Sequence, residues 1–156
     1  MKTILDLIFK WGASKREEFQ IENVGVLKLD KDGTDYFWFG NIPDIFQSGI
    51  HLELGIEVDG KVYPSEEQIE LIKYLLGNKE TISDILFLYM EESFRGTKWE
   101  KKKEELEKMY FISAIEIKRN SRNVWVVLEP EVYVPTIFNF FPRFTLNDYN
   151  IVWSNV

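Results

Sequence analysis

Between residues 50 and 76 the chain switches periodicity from two to about 3.6, and this switch constrains the fold more than any other feature. Ile50, Leu52, Leu54, Ile56 and Val58 alternate with His51, Glu53, Gly55 and Glu57. That is the pattern of a strand with one buried face and one wet, charged face. Asp59-Gly60 is a hairpin turn signal, and Lys61 to Tyr63 reads as a short return strand. Pro64 then precedes Ser65-Glu66-Glu67-Gln68, a capping box in which Ser65 accepts from the first-turn amides while Gln68 reaches back. Two acids in the first turn suit the helix dipole. Ile69, Ile72, Leu75 and Leu76 form one apolar face, and Gly77 ends the helix.

Strand patterns lie on both sides of this switch. Val24 to Leu29, the turn Lys31-Asp32-Gly33-Thr34 and Tyr36 to Phe39 read as a hairpin. After the first helix, a second is expected from near Thr81 to about Phe94. It is apolar around most of its circumference and therefore expected to be well buried. A charged third helix is expected over 99–110. Residues 115–117, 124–128 and 149–153 return to strand patterns, and residues 3–11 suit a short amphipathic helix. Strands in blocks joined by turns predict one α+β domain over residues 1–156. Its antiparallel sheet has about six to seven strands, with two or three helices packed on one face. No βαβαβ alternation is present, which argues against a doubly wound nucleotide fold.

The residue inventory narrows the chemistry. Among 156 residues there is no cysteine and one histidine, His51. Disulfides and thiolate sites are thereby excluded, and a structural zinc site lacks its usual donors. No GxG or GxxxxGK run offers a phosphate cradle, so no cofactor is expected. Glu53 and Glu57 sit four strand residues apart, about 13 Å, whereas glycosidase carboxylates need about 5–9.5 Å. Neighbouring helical acids such as Glu66 and Glu67 diverge by about 100°. His51 and Glu53 share a strand face about 7 Å apart. They could form an acid–base pair, or His51 could be an ordinary surface histidine.

The net charge is −7 and is unevenly placed. Residues 1–96 hold 10 basic and 18 acidic side chains, and residues 97–156 hold 9 basic and 8 acidic. Such acidity repels nucleic acid and anionic membranes and attracts basic partners, although it also serves simple solubility. The cluster Lys101-Lys102-Lys103 is flanked by four glutamates and reads as a solvated helix face. The longest apolar run, Ile85 to Met90, is far below the roughly 18 residues that span a bilayer. With no signal-peptide pattern, a cytoplasmic location is expected. Phe138, Phe140, Phe141 and Phe144 serve either as packing or as an exposed patch for dimerisation.

Residues 22–95 resemble a group of small bacterial domains of unknown function. Val24-Gly25-Val26-Leu27 and Phe39-Gly40 stand in for that group's opening and return-strand motifs, and Ser65 to Gln68 match its helix start. The Phe- and Pro-rich C-terminal third departs from the group's pattern. Many such domains are suspected immunity proteins, so the resemblance implies a cytosolic protein that binds and neutralises a toxin domain. The expected partner-binding residues are His51, Glu53, Glu57 and Asp59 on the strand face and turn, with Glu66 and Glu67 beside them. The expected partner is a basic protein domain, not nucleic acid or a membrane. Two alternatives remain: an adaptor that homodimerises through the aromatic C-terminal segment, and an enzyme using His51 with distant carboxylates.

Overall fold

The structure, a computed structural model, describes residues 17–43, 46, 51–131 and 141–156. Four strands come first: β1 (Glu18–Ile21), β2 (Gly25–Asp32), β3 (Asp35–Ile42) and β4 (Leu52–Val58). Three helices follow: α1 (Glu66–Gly77), α2 (Lys79–Phe94) and α3 (Lys103–Met109). Four more strands complete the order: β5 (Tyr110–Ile117), β6 (Asn123–Pro130), β7 (Arg143–Asn147) and β8 (Asn150–Ser154). The eight strands form one sheet in chain order. The fold is thus α+β, with eight strands rather than six or seven.

Every neighbouring pair is antiparallel except β4 and β5, which run parallel with Glu53 opposite Ala114 and Ile56 opposite Ile117. The molecule is two four-stranded meanders fused along a parallel seam. A helical crossover is what parallel neighbours require, and α1 to α3 supply it. The expectation of an antiparallel sheet is therefore corrected at this one seam.

One side-chain parity of the sheet builds the core. Leu52, Leu54, Ile56 and Val58 join Ile115, Ile117, Val124, Val126, Phe144 and Leu146, and the same cluster takes in Leu71, Ile72 and Leu75 of α1 and Ile82, Leu86 and Met90 of α2. The helices thus cover one face of the sheet. On the other face, Lys28, Phe39, Gly55, Glu116, Trp125, Thr145 and Trp153 form one cross-strand row. Phe39, Trp125 and Trp153 of that row are exposed.

Residues 61–63 do not form the expected return strand. The indole of fully buried Trp38 donates to the Val62 carbonyl at 2.7 Å. Tyr63 stacks on Trp38 at 5.3 Å between centroids, and Phe19 closes the other contact at 5.6 Å. Packing against Trp38 and its indole donor hold this segment in place of ladder hydrogen bonds. The expected capping box is present: Ser65 Oγ accepts from the Gln68 amide, and Gln68 Oε1 accepts from the Ser65 amide. The Gln68 side chain also donates to the Glu57 carbonyl at 2.8 Å, which pins the start of α1 to the end of β4.

Two further corrections concern burial. β4 was expected to have a wet face, yet Gly55 and Glu57 on that face are buried and only Glu53 is exposed. The strand is central in the sheet, and side chains of its neighbours cover it. Helix α2, expected to be buried nearly all round, leaves Leu88 and Tyr89 exposed. Helix α3 is held to α2 by Glu91, whose carboxylate accepts from Lys102 Nζ at 3.0 Å and the Lys103 amide at 2.8 Å. These bonds, led by the Lys102 contact, hold the Glu91 pKa below its ordinary value. Lys103 Nζ in turn bridges Asp84 and Glu107. The expected helix at 3–11, the strand start at Ile50, and Phe138 and Phe140 lie outside the described residues. Among the described residues no helix is long and apolar enough to cross a membrane.

Candidate functional site

Three turns (β2–β3, β5–β6 and β7–β8) and the β4–α1 connection all emerge at one end of the sheet. Their charges are Asp30, Asp32, Asp35, Glu57, Asp59, Glu66, Glu67 and Asp148 against Lys31, Lys61, Lys118, Arg119 and Arg122. Eight carboxylates therefore face five cations. At the parallel seam the two chains leave in different directions: β4 turns into the helical layer and β5 into the hairpin with β6. Diverging exits open a crevice beyond the carboxyl ends of parallel strands. Here the crevice is a cleft of about 230 Å³. Glu57 and Asp59 form one wall, Tyr63, Glu67 and Gln68 another, and residues 119–122 the third.

The turn after β5 organises this end. Arg119 is held by three carboxylates: its Nε lies 3.1 Å from Glu57, one terminal nitrogen 3.2 Å from Asp59 and the other 3.3 Å from Asp35. Asn120, in the left-handed region at φ 51°, donates to Asp59 at 3.2 Å. Lys118 Nζ approaches Glu57 at 3.5 Å, bonds Glu116 and sits 3.7 Å from the centroid of the Trp125 ring. Arg122 binds Asp148 at 2.7 Å, and that carboxylate, with a smaller contribution from Glu67, raises the guanidinium pKa above its ordinary value. Glu67 itself makes no ion pair within 4.0 Å among the described residues.

Of the six expected residues, the structure gathers Glu57, Asp59 and Glu67 around one cleft. Glu66 is exposed beside them on the first turn of α1. His51 and Glu53 are exposed at the opposite end of β4, about 13–20 Å along the strand from Glu57. Glu57 is not free on a wet face: it is buried beneath Lys118 and Arg119. Tyr63, Arg119, Asn120 and Arg122 were not anticipated. Residues 120–122 read as polar turn material, and nothing local marks Arg119 as the partner of a carboxylate 60 positions earlier.

A second depression of about 360 Å³ lies at the other end of β5, lined by Phe46, Phe87, Phe111 and Glu131 among others. Among the described residues no three His, Cys, Asp or Glu side chains gather where they could hold one metal ion. Comparisons of the chain with protein families, with curated proteins and with solved structures each found no match.

Proposed function

We propose that this chain is a non-catalytic binding protein that docks a basic protein domain against the acidic, turn-bearing end of its sheet. The partner class is a toxin domain, which the docked protein neutralises by covering its working surface. The observation that carries this reading is the convergence of Glu57, Asp59 and Glu67 on one open cleft, at an end where carboxylates outnumber cations. The resemblance of residues 22–95 to suspected immunity domains supplies the choice of a toxin. Acidic complementarity of this kind speeds encounter and makes it sensitive to salt. Arg119 adds preorganisation: Asp35, Glu57 and Asp59 are already held by one guanidinium. Less side-chain freedom is then lost on docking.

Co-expression with a toxin domain encoded beside this chain tests the reading. Wild-type protein should protect the cell, and the double variant Asp59→Lys/Glu67→Lys should lose protection while keeping its circular dichroism spectrum. Glu53→Lys, at the far end of β4, serves as the control. Full protection by the double variant would sink the choice of surface.

A second reading is favoured by the β8 edge of the sheet. Edge strand β8 exposes Val152 and Trp153, and Phe141 is exposed nearby in the chain before β7. An adaptor that dimerises through its C-terminal segment would use this apolar edge. Sedimentation at several concentrations should then show a dimer that Trp153→Asp disrupts.

A further inference from the structure

We propose that the cleft at the parallel seam is a socket for one arginine side chain of the partner. This rests on the binding reading above and deepens it by naming the group recognised. About 230 Å³ falls below the roughly 300–1,000 Å³ of sites for drug-sized ligands and cofactors. That size points to a single inserted side chain.

The charge arrangement selects a cation. Both guanidinium groups in the walls are occupied, Arg119 by Glu57, Asp59 and Asp35 and Arg122 by Asp148. An incoming anion would have to displace a carboxylate already in place. Three lining carboxylates stand against two lining cations, and Glu67 is the one that makes no ion pair among the described residues. The start of α1 is no ready anion site either, because the capping box already occupies the Ser65 and Gln68 amides and the negative charges of Glu66 and Glu67 lie beside it.

The wall shape selects guanidinium over ammonium. Tyr63 lies on Trp38 with 20° between ring planes, yet 62% of the residue remains open to solvent. Phe19 touches the same ring at 5.4 Å between centroids, so two aromatic side chains fix it while its exposed part is left to meet a planar cation. Guanidinium stacks on such a ring and offers a planar fork to the carboxylate beside it, whereas ammonium is a compact, strongly hydrated point charge. Arginine is also enriched among the residues that dominate interface energetics.

The test uses the full chain, labelled with ¹⁵N, and three probes: N-acetyl-arginine amide, N-acetyl-lysine amide and inorganic phosphate. The arginine amide should shift the amides of residues 58–68 and 118–122 saturably, and bind more tightly than the lysine amide. Glu67→Gln should weaken it about fivefold and Tyr63→Ala about threefold. Saturation with equal affinity for lysine, shifts that never saturate, or phosphate moving the same amides in place of arginine would each overturn the socket. None of these outcomes touches the protection experiment, which reads the partner independently. An intact socket with no protection would remove the toxin reading alone.

Discussion

The two ends of β4 look alike in the sequence and behave oppositely in the molecule. Each carries polar, ionisable side chains, His51 and Glu53 at the start and Glu57 and Asp59 at the finish. The first pair is exposed, whereas Glu57 and Asp59 are gripped by cations from the turn after β5. The difference arises from what the parallel seam places alongside. At the finish, β5 runs beside β4 and delivers Lys118 and Arg119. Charged residues therefore acquire distinct roles from a neighbour that is remote in the chain, not from their own local pattern.

The sharpest break of this comparison is a pair of truncations. Glu57→Ala should lower stability by about 2 kcal/mol, because it leaves Lys118 and Arg119 without the carboxylate they share. Glu53→Ala, on an exposed side chain, should stay within about 0.5 kcal/mol. Urea denaturation of both variants measures the gap, and equal midpoints would erase the distinction between the ends. A smaller effect, about 1 kcal/mol, is expected for Arg119→Ala, since Arg119 is itself partly exposed. That variant leaves Asp35, Glu57 and Asp59 to repel one another, so added salt should recover part of the loss. A loss that salt leaves unchanged would mean that packing of the arginine stem, not charge, matters.

The smallest effect lies away from both ends and serves as their reference. Glu91 has a lowered pKa, first through the Lys102 side chain and then through the Lys103 amide. A carboxylate whose folded pKa is depressed contributes stability above its unfolded value, and that contribution is lost as pH falls through the folded value. The α2–α3 junction should therefore loosen below about pH 4.5, the ordinary value for this group. Acid titration followed by circular dichroism should show a shallower acid limb for Glu91→Gln than for wild type. Identical limbs would show that the Glu91 bonds carry no pH-dependent stability.

What the sequence disclosed was local. The capping box from Ser65 to Gln68 formed as read, because its partners lie three residues apart. The period-two run correctly marked Leu52, Leu54, Ile56 and Val58 as core. It misjudged the other face, since a strand cannot show whether it will be central or at an edge. The Asp59-Gly60 signal marked a bend, with Gly60 at φ 78°, but no hairpin: no return strand followed. Whether Val62 and Tyr63 pair with β4 or fold over Trp38 depends on an indole donor 24 residues upstream. Half of the candidate site was legible for the same reason. Glu57, Asp59 and Glu67 carry visible charge in visible elements, whereas Arg119 and Tyr63 gain their roles only from the seam and from Trp38.

The seam also bears on the order in which the chain assembles. Each meander pairs strands that follow one another, and its β2–β3, β5–β6 and β7–β8 hairpins close over short turns that cost little chain entropy. The β4–β5 ladder instead joins residues 61 positions apart, such as Glu53 and Ala114. Contacts that distant are the slow ones, because the loop must close before they gain anything. The seam amides of residues 53–56 should thus acquire hydrogen-exchange protection after those of the β2–β3 and β5–β6 hairpins in a pulse-labelled refolding experiment. Newly made chains would complete the acidic cleft last, so the surface proposed for binding would form only after both meanders had closed.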